Sequence, residues 1–287
     1  MTLAGYQIDL VEAGRVWLDG GAMFGIVPRP LWARRIAPDD RNRIPLAMRC
    51  LLLRGHGRTV LVDTGVGDKS DAKFRDIYGV DLDHSRLDRS LAALGVAPED
   101  VTDVVLTHLH FDHAGGATRY DGRGHLALTF PEADHLVQRA HWEWAQDSPR
   151  EGASFLAENL DPLAASGRLR LLDGPGRPLP GLELHVVDGH TRGQQLVRVT
   201  DGERSVLHAA DLVPTAAHVP LLWVMAYDVA PLDTIREKEG VLRRAAQERW
   251  TVVFEHDPEV ATGRIVETER GFAVEGGSAG WPDGPAG

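Results

Sequence analysis

The stretch after residue 106 concentrates four side chains that commonly bind metal ions, in the order Thr107-His108-Leu109-His110-Phe111-Asp112-His113. The residues before it, 101–106, are mostly apolar and β-branched, which is typical of a short strand. Residues two apart share a side of an extended chain but not of a helix, so His108 and His110 can bind one ion only at a strand end or in a loop. Asp112 and His113 follow in a turn and can face a second ion. Burying these groups without partners would be costly, so the motif predicts a metal site rather than unrelated polar residues.

Three further residues of ligand type each follow an apolar run that predicts a strand. The runs span 182–187, 205–209 and 251–255, and the residues that follow them are His190, Asp211 and His256. Ligands at strand ends that meet along one edge would form a cleft. The chain therefore predicts a single site assembled from distant segments.

This set of residues, in this order, resembles the HxHxDH motif and the later ligands of the metallo-β-lactamase-fold hydrolases. The resemblance covers most of the chain, from residue 47 to His256. It implies a four-layer αββα sandwich, an α/β fold with two mixed sheets and helices on the outer faces. Arg192 and Gln194 stand where many members have Pro and His. Neither is a ligand position, so the departure concerns loop shape rather than metal binding.

The resemblance also implies two metal ions and assigns their ligands. These are His108, His110 and His190 for the first ion, Asp112, His113 and His256 for the second, and Asp211 as a bridge between them. Nitrogen and oxygen ligands without cysteine fit Zn²⁺, and also Mn²⁺, Fe²⁺ or Co²⁺.

Such a centre predicts hydrolysis by a metal-bridging hydroxide. Two divalent ions lower the pKa of a shared water to roughly 7 and polarise a carbonyl or phosphoryl oxygen. We expect Asp112 to pass a proton to the leaving group while remaining a ligand. Asp63 ends a strand beside Gly65 and is expected to hydrogen-bond a ligating histidine, with an Asx turn as the alternative.

Two apolar segments are candidates for the walls of a substrate pocket. One is the loop that begins at Gly20 and carries Met23 and Phe24, and the prolines between residues 28 and 45 predict no regular structure there. The other follows Asp211 and carries Trp223 and Tyr227, with the Tyr227 hydroxyl as a donor to the substrate oxygen. The alternatives are that the first segment covers a core edge and that the second is a buried strand.

The composition describes an ordinary globular protein. Of the 287 residues, 43% are hydrophobic and 25% are charged, and the net charge is 31 − 42 = −11. An acidic chain is a poor partner for nucleic acid or an anionic membrane. The one cysteine, Cys50, lies in an apolar run and is expected to be a core residue. The N-terminus has no basic segment followed by an apolar one, which predicts no signal peptide and a cytoplasmic location.

The order of elements predicts one domain over residues 1–274. Strands precede a helix in each half of the chain, which indicates two sheets with helices outside them. Residues 275–287 are rich in Gly and Pro and are expected to form a flexible tail. Apolar loops rich in tryptophan are compatible with a homodimer.

Within the superfamily, the chain is most similar to the branch of acyl-homoserine lactonases and methyl parathion hydrolase-like organophosphatases. The long spacer between His113 and His190 and the apolar segment after Asp211 carry this likeness. It implies a small-molecule substrate with an apolar portion, either a lactone or hydrophobic ester or, as the alternative, an organophosphate triester. A β-lactamase fits less well, because that class commonly has Cys or His at the position of Asp211. A metal-binding protein without turnover is the remaining, non-hydrolytic alternative.

Overall fold

The computed structural model describes residues 1–282 of the chain. Its strands are β1 Thr2–Leu3, β2 Tyr6–Asp19, β3 Arg43–Gly55, β4 Arg58–Val62, β5 Asp103–Val105, β6 Thr118–Tyr120, β7 Leu126–Leu128, β8 Asp134–Gln138, β9 Leu169–Leu172, β10 Gly176–Leu179, β11 Leu182–Val187, β12 Gln194–Thr200, β13 Ser205–His208, β14 Thr251–Val253, β15 Thr262–Thr268 and β16 Gly271–Ser278. Its α-helices are α1 Gly20–Phe24, α2 Arg29–Trp32, α3 Ala72–Tyr78, α4 Leu87–Ala93, α5 Phe111–Ala114, α6 Arg139–Asp147, α7 Ala157–Ala165 and α8 Pro231–Gln247.

Two seven-stranded mixed sheets form the centre of the fold. The first has the order β1-β2-β3-β4-β5-β8-β9 and the second the order β10-β11-β12-β13-β14-β15-β16. Strands β4, β5, β8 and β9 are parallel neighbours, as are β13 and β14, and the remaining pairs in both sheets are antiparallel. The end of each parallel strand therefore lies beside the end of its neighbour, which gathers the loops that follow them.

Side chains that alternate along the strands build three apolar layers. In β3, Leu51 and Leu53 face the core between the two sheets, and Leu52 faces the helices outside the first sheet. A strand covered on both faces needs a continuous apolar run, which explains the sequence of β3. On the far side, Leu242 of α8 packs against Val252 of the second sheet. The order helix, sheet, sheet, helix confirms the predicted four-layer sandwich.

Simple sequence patterns explain several local elements. The hairpin β3–β4 forms, and Leu87 and Leu91 of α4 are buried on one face, as their spacing predicts. The alternating apolar residues from Tyr6 to Leu18 form one long strand, and its register against β3 shifts between Glu12 and Arg15.

Three regions differ from the sequence prediction. The loop after residue 20 contains α1 and α2, because the Asp19 carboxylate accepts from Ala22 N at 2.7 Å and Pro30 stands in the first turn of α2, where its missing N–H is tolerated. The segment around Trp223 forms turns, so the alternative in which it is a buried strand is wrong. Strand β16 extends to Ser278 by pairing with β15, so the region beyond 274 is ordered further than a flexible tail would be. Residues 283–287 of that tail lie outside the described residues.

Over residues 1–282, none of the helices combines the length and the apolar character needed to cross a membrane.

Candidate metal centre

The seven predicted ligands lie together at one end of the two sheets. His108 and His110 follow β5 in extended backbone, and the single turn of α5 carries Asp112 and His113. The later three residues, His190, Asp211 and His256, follow β11, β13 and β14. Because β13 and β14 are parallel neighbours, Asp211 and His256 leave the second sheet side by side.

One group of ligand atoms comes from three histidines and Asp211. His110 Nδ1 lies 3.0 Å from His108 Nε2 and 3.2 Å from His190 Nε2. Asp211 Oδ2 lies 3.2 Å from His190 Nε2. The four ligand atoms of this group all lie within 4.8 Å of one another. This is the group that the resemblance implied for the first ion, together with the implied bridge.

A second group contains Asp112, His113 and His256. The Nε2 atoms of His113 and His256 are 3.1 Å apart. Asp211 Oδ1 lies 3.1 Å from His256 Nε2, whereas its Oδ2 faces His190 of the first group. One carboxylate therefore presents one oxygen to each group.

Each of the five histidines hydrogen-bonds outward through the ring nitrogen that faces away from the others. The acceptors are Thr107 Oγ1 for His108 at 3.1 Å, Glu151 Oε1 for His110 at 2.8 Å, Asp63 Oδ2 for His113 at 3.2 Å, Asp228 Oδ1 for His190 at 2.9 Å and Ala47 O for His256 at 2.7 Å. In the neutral form of each ring, an outward N–H leaves a lone pair on the inward nitrogen. The hydrogen-bond pattern thus assigns the tautomers that metal ligation requires.

These residues fit a pair of metal ions. In the neutral rings, inward lone pairs about 3 Å apart repel unless a cation lies between them, and Asp211 Oδ1 is buried without a hydrogen-bond donor among the described residues. Burial alone would raise the pKa of Asp211, but His256, His190 and His113 hold that pKa well below its usual range. Burial and the neighbouring imidazoles lower the pKa of His108. The arrangement favours an ionised Asp211 and an unprotonated His108, the forms that bind metals.

Asp63 is the residue that the sequence analysis named as a candidate for orienting a histidine. It is fully buried and receives hydrogen bonds from the backbone N and the Oγ1 of Thr107, both at 2.7 Å. Its Oδ2 also contacts His113. One carboxylate thus fixes the start of the motif and the imidazole of His113.

Sequence reasoning missed three other acidic residues around the histidines. Glu151 and Asp228 accept the outward N–H of His110 and His190, and Glu255 lies 3.2 Å from His113 Nδ1. Burial opposes ionisation of Glu151, but the hydrogen bond from His110 lowers its pKa to about 2. Glu255 stands directly before His256 at a strand end, and this position could have identified it from the sequence as a group near the metal ligands. Glu151 and Asp228 are not next to any predicted ligand in the sequence, so no local pattern identifies them.

A cavity of about 70 Å³ opens beside Asp112, Asp211 and His256. Met23 and Tyr227 line it, together with Leu18, Leu46, Tyr78, Phe111, Ser154 and Met225. Typical ligand pockets hold roughly 300–1,000 Å³, so this one has room for a reacting group, and most of a larger substrate would lie outside it. A larger groove of about 700 Å³ beside Ile36 contains none of the seven ligands.

The structure does not bring Phe24 and Trp223 to this cavity. Phe24 is fully buried, stacks on Trp32 and His218 with ring centroids 5.4 and 4.6 Å away, and meets the edge of Trp223 at 5.7 Å. Aromatic side chains gain more from such packing than from exposure to solvent. Phe24 and Trp223 therefore pack outside the lining of the cavity, and Met23 is the residue of α1 that reaches it.

Comparisons with known proteins agree with this geometry. Residues 45–256 match the model of the metallo-beta-lactamase superfamily, and the chain belongs to this superfamily. An N-acyl homoserine lactonase from a Bacillus species is 29% identical and aligns with 93% of this chain and 96% of its own. The solved structure of a probable metal-dependent hydrolase from Staphylococcus aureus superposes with a TM-score of 0.86 at 30% identity, covering 96% of this chain and 99% of that one. AidC, a dizinc quorum-quenching lactonase, shares the fold with a TM-score of 0.78 at 19% identity, covering 96% and 95% of the two chains. This protein is thus a metallo-hydrolase of the superfamily.

Proposed function

We propose that the protein is a dinuclear metal-dependent hydrolase that attacks the carbonyl of a lactone or hydrophobic ester, as an acyl-homoserine lactonase does. The observation that carries the proposal is the position of Asp211, whose two oxygens face two separate ligand groups beside an apolar cavity. The near full-length similarity to a lactonase supports the substrate class. The dizinc centre of AidC and the nitrogen and oxygen ligands here favour zinc.

In this proposal the two ligand groups hold two divalent ions. Bound there, the ions would supply a Lewis acid for the carbonyl oxygen and a water activated as a nucleophile at neutral pH. The chain supplies the geometry, since the outward hydrogen bonds of the five histidines fix each ring before any ion binds. We propose that the two sheets, which share one core and both contribute ligands, act as one catalytic domain.

Asp112 and Tyr227 are the proposed groups for handling protons and charge. Both line the cavity, and Asp112 is also a member of the second ligand group. Burial raises the pKa of Tyr227 well above its usual value, so its hydroxyl stays protonated and can donate to a developing oxyanion. Asp112 can accept the proton of the attacking water and pass it to the alkoxide that leaves.

The lining of the cavity favours an uncharged substrate. Among the described residues that line it, none is a lysine or arginine that could pair with an anion. An acyl-homoserine lactone and a phosphotriester are both neutral, whereas a β-lactam antibiotic carries a carboxylate. Because the uncharged triester also fits a cavity without a cationic side chain, triester hydrolysis is the second candidate activity.

The test is hydrolysis by purified, metal-analysed protein of short-chain and long-chain acyl-homoserine lactones, with a paraoxon-type triester and a cephalosporin alongside. We expect lactone turnover that is lost on chelation and restored by zinc. Turnover of the triester without any lactone turnover would replace the first candidate by the second. Cephalosporin hydrolysis exceeding both would contradict the uncharged-substrate argument.

Replacing Tyr227 with phenylalanine should lower kcat for the lactone by about 100-fold, the effect of losing one oxyanion donor, and leave KM and metal content nearly unchanged. Tyr120→Phe is the matched control, because Tyr120 is half exposed on the separate two-stranded sheet formed by β6 and β7. An unchanged kcat in the Tyr227 variant would contradict the proposed role as an oxyanion donor and leave this residue only as part of the cavity wall.

A further inference from the structure

A buried histidine outside the ligand set connects the two loops that carry the first ligand group. His141 lies on α6 and is fully buried. Its Nε2 accepts a hydrogen bond from the backbone N of Leu109 at 2.8 Å, and its Nδ1 donates to the backbone O of Arg192 at 2.7 Å. Leu109 stands between two ligands, His108 and His110.

The second contact acts on the third ligand of the group. Arg192 lies two residues after His190 and directly before Gly193. A Cβ atom at Gly193 would lie 2.7 Å from the backbone N of His141, and the φ angle of Gly193 is +73°. Glycine therefore lets this loop approach α6 closely enough for the hydrogen bond from His141 to form.

One imidazole thus joins the His108–His110 loop of the first sheet to the His190 loop of the second. Only the neutral ring, with its proton on Nδ1, makes both hydrogen bonds, and burial keeps His141 neutral by lowering its pKa to about 3. The ring of Phe155 packs against both His141 and His110, with centroids 5.7 and 5.0 Å away, which removes room for the imidazole to turn.

We infer that His141 is a positioning residue for the first metal ion: it sets the distance between the His108–His110 loop and the His190 loop, and so the affinity of the three-histidine site. It touches no ligand atom by a hydrogen bond and acts only through the two backbones. The second site, formed by Asp112, His113 and His256, has no hydrogen bond to His141 among the described residues. The inference rests on the proposed two-ion centre.

Three substitutions separate the two hydrogen bonds. His141→Gln places an amide oxygen near the position of Nε2 and keeps the acceptor for Leu109, and His141→Asn places an amide N–H near Nδ1 and keeps the donor to Arg192. His141→Phe removes both. His135→Phe is the matched control. His135 is also buried, and burial lowers its pKa to about 4, but among the residues that the structure describes its ring hydrogen-bonds only the nearby Ala133 O.

The experiment is titration of each full-length apoprotein with Zn²⁺ against a chromophoric chelator, followed by the visible spectrum after loading with Co²⁺. The wild-type chain should bind two ions, and a single ion would contradict the proposed function without reference to any variant. His141→Phe should weaken one of the two sites by about 10–100-fold, the usual effect of losing an outer partner of a metal ligand, and change the Co²⁺ spectrum of that site only. The Gln and Asn variants should fall between it and the wild type.

Two outcomes would overturn the inference. The first is wild-type affinity at both sites in His141→Phe, and the second is an equal loss at both sites, which would indicate general loosening of the fold. His135→Phe should lose stability without changing either affinity. If His141→Phe does not fold, the Gln and Asn variants decide, because each keeps one of the two hydrogen bonds.

Discussion

Replacing Asp211 with alanine is expected to abolish measurable lactone hydrolysis and to reduce the bound metal from two ions to one per chain. The carboxylate is the only residue whose two oxygens face both ligand groups among those the structure describes, with 3.2 Å to His190 Nε2 and 3.1 Å to His256 Nε2. Without the Asp211 carboxylate, no negatively charged group shared by the two metal sites fixes the distance between them. Losing several kcal/mol of transition-state stabilisation corresponds to a fall of about 1,000-fold or more in kcat/KM. Metal analysis and steady-state kinetics on the same preparation would measure both effects.

The matched control for Asp211 is Asp103→Ala. Asp103 is also a buried aspartate at a strand of the first sheet, but it pairs with Arg58 at 2.9 Å and contributes to neither ligand group. We expect this variant to lose some stability and to keep two ions and full activity. Substantial turnover by the Asp211 variant would contradict the proposed mechanism, whatever its metal content.

Removing the metal ions should lower the thermal stability of the wild-type chain strongly. Ions that bind only the folded state stabilise it by about 4 kcal/mol each when their free concentration is 1,000 times Kd, or about 8 kcal/mol for two. For a chain of this size, that corresponds to a fall in Tm of roughly 15 °C on chelation. The physical reason is that only folding brings the nitrogen and carboxylate oxygen atoms of the two ligand groups close together, so the ions bind the folded chain and not the unfolded one.

Differential scanning calorimetry with and without chelator would measure this shift. The Asp211 variant offers an internal comparison, because a chain that holds one ion should show about half of the shift. An identical Tm for the loaded and the chelated wild-type protein would mean that the ions do not bind the folded chain more tightly than the unfolded one. That result would contradict the idea that ion binding and folding are linked here.

Much of the fold could be predicted because the chain is locally consistent. Simple local patterns in the sequence mark β3 as a continuous apolar run, the β3–β4 connection as a hairpin and α4 as a helix with a stripe of leucines. Each pattern matches the packing of that element within one layer of the sandwich. The strand β10 and the helix α1 were not predicted. Both lie in segments rich in Gly and Pro, where pairing with β11 in one case and a cap by Asp19 in the other outweigh weak local preference.

The residue types and spacing in the sequence by themselves determined the candidate ligands, because in this chain each of them follows a strand end or occupies a turn, and such positions have a local pattern. Only the tertiary structure decided which groups orient them. Glu151 lies 41 residues from His110, Asp228 lies 38 residues from His190, and His141 lies 32 residues from Leu109. It also decided that Met23 reaches the cavity while Phe24 packs behind it. Such contacts form between segments that meet only when the two sheets pack together, and no local period in the sequence marks them.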